Sequence, residues 1–469
     1  MKYIFFTFSG HSLPIAKRLI DEGNEVEVGQ VSRPEKLNVK GWQAHKETPE
    51  EQRRRLSLYD GIIEKQDADK LLNNLRFNKD KEDIFVVLDH NNLCEYGEKL
   101  NSMGYIGLIP LREDYTMEKE RTAAKNFVEK NYSLLQVPES KEFKKAQDGI
   151  DLVEDSDELW VLKSNGNIGD TIVPRTTDTQ LNHMVIIGAL KCDSKDYEKE
   201  GYILERKLRS PIEFTPQLAF WNGEPIYSHV EIECKPIGAG DTGPDGGGAL
   251  NLVVKTNLDD EINAMFFPPI IFEMAKKRSG LFIFDAGILY DEDDSRFYFT
   301  EFAGNRWGWG GIYSELSMAT NKNRNATEYF ERVSAGKSPL HYKYGATVSL
   351  YNILPDKKFA SLECDCLPIY WRRAADEYLW LYQIRKNEEG VIVNTGCFKD
   401  SILGYASGCG DSLSKCISLA YKVIDNFAFK EFLFRPKGDF LSKDYPSSIL
   451  NRLEAIKEIL DNIEKKEAA

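Results

Sequence analysis

Apolar runs and helical stripes alternate along the first quarter of the chain. Residues 3–8 are almost continuously apolar and predict a buried strand. Ser9-Gly10-His11 follows as a turn. Residues 13–20 carry the apolar spacing of a helix that stops at Glu22-Gly23, and residues 25–28 predict a second strand. Strand, glycine turn, helix and strand make a βαβ unit, which implies a parallel sheet. Residues 84–88 and 105–109 add two more strands. The polar stretch 33–82 is expected to hold helices and loops. Residues 1–115 are assigned to an N-terminal parallel-sheet domain that presents substrate.

The texture changes after residue 115. Residues 118–130 form an amphipathic helical pattern. An apolar strand over 159–163 ends in Lys163 and runs into a glycine loop, 164–169. A strand is predicted over 202–205. The runs 213–220 and 224–233 pair around Asn222-Gly223, a strong hairpin signal. A helix is predicted over 269–277. Strands over 281–290 and 296–302, joined by five polar residues, predict an antiparallel hairpin. From residue 346, short strands and a helix capped by Asp411-Ser412 describe a small α+β domain, 346–440. In the tail, 441–469, Ile449, Leu453, Ile456, Leu460 and Ile463 share one helical face, expected to dock on its own domain. The central segment, 116–345, is a third domain.

A hydrophobic share of 42% and an aromatic share of 12% describe a folded globular protein. Lys and Arg number 61 against 75 Asp and Glu, a formal charge of −14, which disfavours tracking a nucleic-acid backbone by bulk charge. No run is long enough to span a bilayer, and the apolar start is too short for a signal peptide. The eight cysteines are scattered, so reduced thiols and a cytoplasmic location are expected. Cys364-Asp-Cys366 is the only tight pair, and no second pair completes a zinc site.

Candidate chemistry gathers around glycine. The run 238–248 is rich in glycine, yet Asp241, Thr242 and Pro244 break its low complexity, so it predicts a shaped loop able to aim N–H groups at an anion. Asp285 interrupts an apolar run and Glu301 ends the next strand. Two carboxylates side by side repel unless a cation shares them, and Mg²⁺ prefers such oxygens together with substrate phosphates. Asn305 offers a further oxygen, and Arg306 lies in a second glycine loop. Lys163 is placed to reach a nucleotide, and Glu205 and Glu213 flank a possible hinge. One glycine in the first βαβ turn falls short of a dinucleotide fingerprint.

This order of elements, with Lys235 ahead of Gly240-Asp-Thr-Gly-Pro244 and Gly247-Gly248, then Asp411-Ser-Leu-Ser414, Ala420-Tyr421 and residues 427–435, resembles the ATP-grasp superfamily. Within it the chain looks like the phosphoribosylamine–glycine ligase family of purine synthesis. The resemblance spans about residues 83–440. It implies an N-terminal pre-ATP-grasp domain, an ATP-grasp domain of two α+β lobes clamping ATP, and a small C-terminal α+β domain. It implies an ADP-forming carboxylate–amine ligase that uses ATP and Mg²⁺ (or Mn²⁺) and acts on a carboxylic acid such as glycine and on an amine, as a monomer or homodimer.

Carried over, Arg121, Lys163, Gly166, Glu205 to Leu208 and Glu213 contact ATP; Asp285, Glu301 and Asn305 hold metal; Arg306, Asp241 and Lys235 are catalytic; Ser9, Gly10, His11, Thr242 and Gly243 bind substrate. The chain departs from the family in three places. Ser9-Gly10-His11 lacks the family's arginine, Glu301-Phe-Ala-Gly-Asn305 shifts the asparagine, and the loop after Lys163 lacks a second lysine. The same chemistry on another acid or amine, or a non-catalytic nucleotide-binding relative, are the alternatives.

Overall fold

The computed structural model describes residues 1–32, 48–165, 171–209, 211–307, 310–319, 324–352, 366–395, 402–443 and 448–467. The glycine-loop residue Gly166, the cysteine Cys364 and residues 33–47 of the polar stretch lie outside them.

The first strand, Lys2–Thr7, is buried at every position after Lys2. It pairs in parallel with Glu25–Gln30 on one side and Ile84–Leu88 on the other. Lys65–Asp67 and Ile106–Leu108 extend the two flanks, also in parallel. Continuous apolar runs suit such strands because helices cover both faces. The polar stretch supplies the helices Pro49–Leu56 and Ala68–Leu75.

The middle of the chain is antiparallel. Strand Pro211–Trp221 turns through Asn222 and Gly223, whose φ angles are 49° and 88°, into Glu224–Gly238. Positive φ at both positions is what an Asn-Gly hairpin turn requires. Glu224–Gly238 then pairs with Thr242–Thr256. The glycine run is therefore the tip and one limb of a long hairpin rather than a free loop. Pro236 has no N–H to donate, and the register shifts on both sides of it. Gly243, Gly247 and Gly248, at φ 77°, 62° and 96°, let the opposite limb follow those shifts.

Tyr344–Tyr351, Ile402–Gly410 and Leu379–Leu381 continue the sheet on one side. On the other, Leu281–Asp285 pairs with the end of Pro211–Trp221 and meets the parallel strands where Leu281 faces Leu108. Among the described residues this makes one sheet of 15 strands through all three segments of the chain.

Two predicted elements are broken. The strand expected over 281–290 stops at Asp285 and resumes as Ile288–Asp291, which pairs with the start of Pro211–Trp221 and with Arg296–Phe299. Gly287 sits at the break, where an added Cβ would lie 2.2 Å from Thr300 Oγ1. The helix expected over 118–130 splits at Glu120 (φ −98°, ψ 85°) into Arg112–Lys119 and Arg121–Asn131.

A second, three-stranded sheet stands apart: Ser140–Phe143, Tyr202–Arg206 and Trp160–Ser164. It has its own core, built from Ile150, Val153, Leu162, Ile186 and Tyr202. The tail helix, Ile449–Glu467, buries Ile449, Leu453, Ile456 and Ile459. It packs on Pro211–Trp221 and Glu224–Gly238 as well as on the segment before it. The side chain of Ile463 lies outside the described residues. Among the described residues no helix is long and apolar enough to cross a membrane.

Candidate active-site cleft

A cleft of about 340 Å³ opens on the face of the large sheet. Side chains alternate along a strand, so Glu224–Gly238 directs Glu231, Glu233 and Lys235 to the same face. Glu213 and Thr215 come from the neighbouring strand, Asp245, Gly246, Gly247 and Asn251 from the next, and Asp285, Glu301, Ala303 and Arg306 from the broken hairpin.

Asp285 and Glu301 are held by the backbone around them. Asp285 Oδ1 accepts from the Ala303 N–H at 2.7 Å, and the Gly287 N–H donates to the Glu301 carbonyl at 2.8 Å. Asp285 is 5% exposed. Burial pushes its carboxyl up to about 7, opposed by the Ala303 N–H and Arg306 and reinforced by the charges of Glu301 and Glu118. Such a group stays ionised readily only when a cation arrives. That donor set fits a divalent ion. Among the described residues no three His, Cys, Asp or Glu side chains already form a ligand set, so Asp285 and Glu301 are two anchors and phosphate or water must complete the shell.

Arg306 enters the cleft beside Glu118, with Nε 3.3 Å from its carboxylate. Burial works against the Glu118 charge, but Arg306 foremost, with Lys119 and His90, holds that carboxyl down at about 2. Lys235 stands 2.9 Å from Glu213 and 3.7 Å from Glu233. Glu213 and these neighbours hold its charge on, against the cost of burial.

A basic group lies on the small lobe. Lys163 is buried and contacts Glu205 at 2.5 Å, while Lys125 contacts the other Glu205 oxygen at 2.8 Å. Burial lowers the Lys163 pKa, as do the charges of Arg121 and Lys125, and Glu205 resists the shift. Leu208 is buried in the connection that leads from this strand to Glu213.

Four predicted site residues make contacts outside the cleft. Asn305 is not turned to the cleft: its Oδ1 accepts from the Ile283 N–H at 2.9 Å and its Nδ2 donates to the Ile109 carbonyl at 3.2 Å, a brace between strands. Asp241 is gripped by Arg435 at 2.9 Å and by Arg452, which ties its carboxylate to the C-terminal region. Thr242 closes the hairpin turn by donating to the Ala239 carbonyl at 2.8 Å. The carbonyl of Gly243 accepts from Arg175 at 2.7 Å. The part of the glycine run that lines the cleft is Asp245 to Gly247.

Ser9, Gly10 and His11 form a separate corner. Gly10 has φ 85°, and its N–H donates to Thr7 Oγ1 at 2.8 Å. Thr7 and Ser12 both donate to Asp89. His11 packs against His90 and Tyr382, with ring centroids 6.4 and 5.5 Å away. Burial keeps His11 neutral, helped by His90 and Arg306. The cavity at this corner is about 20 Å³ and is walled by Tyr313, Tyr382, Tyr405 and Trp307.

Sequence reasoning missed Lys125, Glu118, Glu231, Glu233 and Asn251. Lys125 lies one helical turn from Arg121 and shares its face. Glu231-Ile-Glu233-Cys-Lys235 has period-two polarity, which reads equally as a solvent-facing strand.

No protein-family model and no curated protein matches the chain. Solved structures do. Phosphoribosylamine–glycine ligase from Thermotoga maritima superposes with a TM-score of 0.62 at 12% identity, covering 93% of this chain and 99% of that one. Phosphoribosylglycinamide synthetase from Anaerococcus prevotii gives 0.52 at 12% identity, covering 91% and 99%. An L-amino acid ligase from Bacillus licheniformis gives 0.50 at 12% identity, covering 92% and 98%. At these identities the likeness establishes the fold, an ATP-grasp fold resembling glycinamide ribonucleotide synthetase.

Proposed function

We propose that this chain is an ADP-forming carboxylate–amine ligase that uses ATP with Mg²⁺ or Mn²⁺. The observation that carries the reading is the pair Asp285 and Glu301 lining one cleft with Arg306 and Lys235, on a fold shared with ligases of this kind. In this reading residues 116–345 hold the nucleotide, and residues 1–115 and 346–440 complete the substrate side.

Lys163, Lys125 and Arg121 hold the nucleotide on the small lobe. Residues 205–208 read the base, and Glu213 meets the ribose. Asp285 and Glu301 hold the divalent ion, whose chemistry is to neutralise charge on the phosphates. A carboxylate oxygen of the acid substrate attacks the γ-phosphorus, and ADP leaves. A neutral amine then attacks the acyl carbon and expels phosphate, leaving an amide. Arg306, fixed by Glu118, meets the charge that builds on the transferred group. No protein nucleophile is needed.

Phosphoribosylamine and glycine, as in purine synthesis, are one substrate pair within this class. A different amine is favoured by one observation: the Ser9-Gly10-His11 corner is closed to about 20 Å³ by aromatic rings. The test is an ADP-release screen of acids against amines, starting with glycine and phosphoribosylamine. Turnover must require both partners. ATP binding without turnover across the whole screen would leave a non-catalytic nucleotide-binding protein.

A further inference from the structure

The corner built by Ser9, Gly10 and His11 adjoins the cleft. Asn91, two residues after Asp89, donates from Nδ2 to Glu118 at 2.7 Å and to the Ala303 carbonyl at 2.9 Å. Glu118 is the partner of Arg306, and the Ala303 N–H holds Asp285. Trp307, the residue after Arg306, forms part of the corner's wall, and the cavity there is about 20 Å³. About 15 Å³ admits one water-sized molecule, so this space takes one heavy atom and not two.

Water is a poor occupant, because it needs two to four polar partners. Ile15 and Ile312 give the cavity apolar sides. The hydroxyls of Tyr313 and Tyr382 already donate to the carbonyls of His11 and Ser9, at 3.2 and 3.1 Å, which fixes both side chains at the cavity wall. Aromatic rings attract a cation. Asp89 lines the same cavity and is 7% exposed. The groups that steady its charge are all neutral: the hydroxyls of Thr7 and Ser12 and the N–H groups of Ser12 and Phe8. Burial keeps His11 neutral as well, so it adds no competing charge. A buried carboxylate with no cation beside it is unfavourable until one arrives.

Resting on the ligase reading, we propose that the amine substrate is ammonia, captured as ammonium in this cavity between Asp89 and the rings of Tyr313 and Tyr382, and that the product is a primary carboxamide. Ammonium passes one proton to the Asp89 carboxylate. The ammonia so formed attacks the acyl carbon of the acyl phosphate. The carbon–nitrogen bond forms, the carbon–oxygen bond to phosphate breaks, and phosphate leaves with a second proton taken from nitrogen. Asp89 then returns its proton to water. Burial pushes the Asp89 carboxyl up to about 6, which lets it hold that proton near neutral pH.

The test runs the acid panel on the full chain with ATP and Mg²⁺, in ammonium, methylammonium or potassium chloride at one ionic strength. One acid is expected to release ADP with ammonium at a kcat/KM at least about tenfold above that with methylammonium. With ¹⁵N-ammonium, mass spectrometry should find the label in a primary carboxamide. Asp89→Asn should raise the KM for ammonium about tenfold or more. Ile312→Ala, which widens the cavity and keeps Asp89, should narrow the gap by admitting methylammonium. Both variants are checked for native melting. Turnover with a larger amine but not with ammonium overturns the proposal and leaves the ligase reading intact. So does methylammonium matching ammonium in the wild type, or an ammonium KM that both substitutions leave unchanged. Binding is read separately, from the line width of the ¹⁵N-ammonium resonance in wild type against Asp89→Asn. Broadening lost in the variant, without turnover on any acid, removes the ligase reading and keeps an ammonium site. Equal line widths with no turnover leave a cavity that holds water and end both.

Discussion

Asp285 shows how one side chain ties stability to function. Its carboxyl titrates near 7 in the folded chain against 3.8 for an ordinary aspartate, and Glu231 near 8 against 4.5, burial being the first cause of both. The folded protein holds these protons more tightly than the unfolded one, so ionisation costs stability. The penalty is absent below about 4, grows as the pH rises, and is complete above about 8. The ligand-free protein should therefore melt a few degrees lower at pH 8.5 than at pH 5.5. Asp285→Asn should flatten that slope, and Mg²⁺ with nucleotide should flatten it in the wild type. Calorimetric melting checks both. Glu118 acts in the opposite sense: its contribution is present above 4.5 and is lost as the pH falls toward 2.

At the same scale, Glu301→Gln should lower ADP release about 100-fold or more with the melting temperature nearly unchanged. Unaltered turnover in that variant removes Glu301 from the metal site. That Asp285 and Glu301 share a cleft was legible in sequence, because an acid interrupts an apolar run at one and ends a strand at the other. The sequence offers Asn305 as a metal oxygen, but a carboxamide braces backbone as readily, and backbone is what it contacts here. The arginine partners of Asp241 were not legible, because Arg435 and Arg452 lie about 200 residues further along the chain, a separation no local pattern encodes.

Among the elements, the Asn222-Gly223 hairpin and the first βαβ unit were legible because local turn chemistry and periodicity determine them. The long hairpin carrying the glycine run was not, since glycine-rich sequence reads as loop until a partner strand is known. Its turn is pinned from afar: the Gly240 N–H donates to Asp439 at 3.0 Å, and buried Arg435 donates to the Pro236 carbonyl at 3.0 Å. Asp241→Ala should cost about 2 kcal/mol by leaving arginine donors unpaired, read as a shift in the urea midpoint. The tail helix is a second clamp, on Pro211–Trp221 and Glu224–Gly238. Ile456→Ala should cost about 3 kcal/mol, whereas a helix free of the sheet would lose almost nothing.

On the scale of the molecule, the cleft lies on the large sheet, and a separate small lobe stands beside the long hairpin. Arg175 bridges them. It donates to the carbonyls of Asp241 and Gly243, at 2.9 and 2.7 Å, and pairs with Asp245. Exposed pairs of this kind contribute at most about 1 kcal/mol to folding. Arg175→Ala should therefore leave the melting temperature nearly unchanged while raising the KM for ATP, because the lobes close less readily. An unchanged KM would show that the bridge does not assist closure.

The central claim is that a divalent ion joins Asp285 and Glu301 to a nucleotide lying against Lys163. Crystals grown with Mn²⁺ and a non-hydrolysable ATP analogue test it most directly. The anomalous signal of manganese should fall about 2.2 Å from oxygens of both carboxylates, with the phosphates reaching toward Lys163. Manganese bound elsewhere, or those three side chains turned away from one another around the nucleotide, would contradict it.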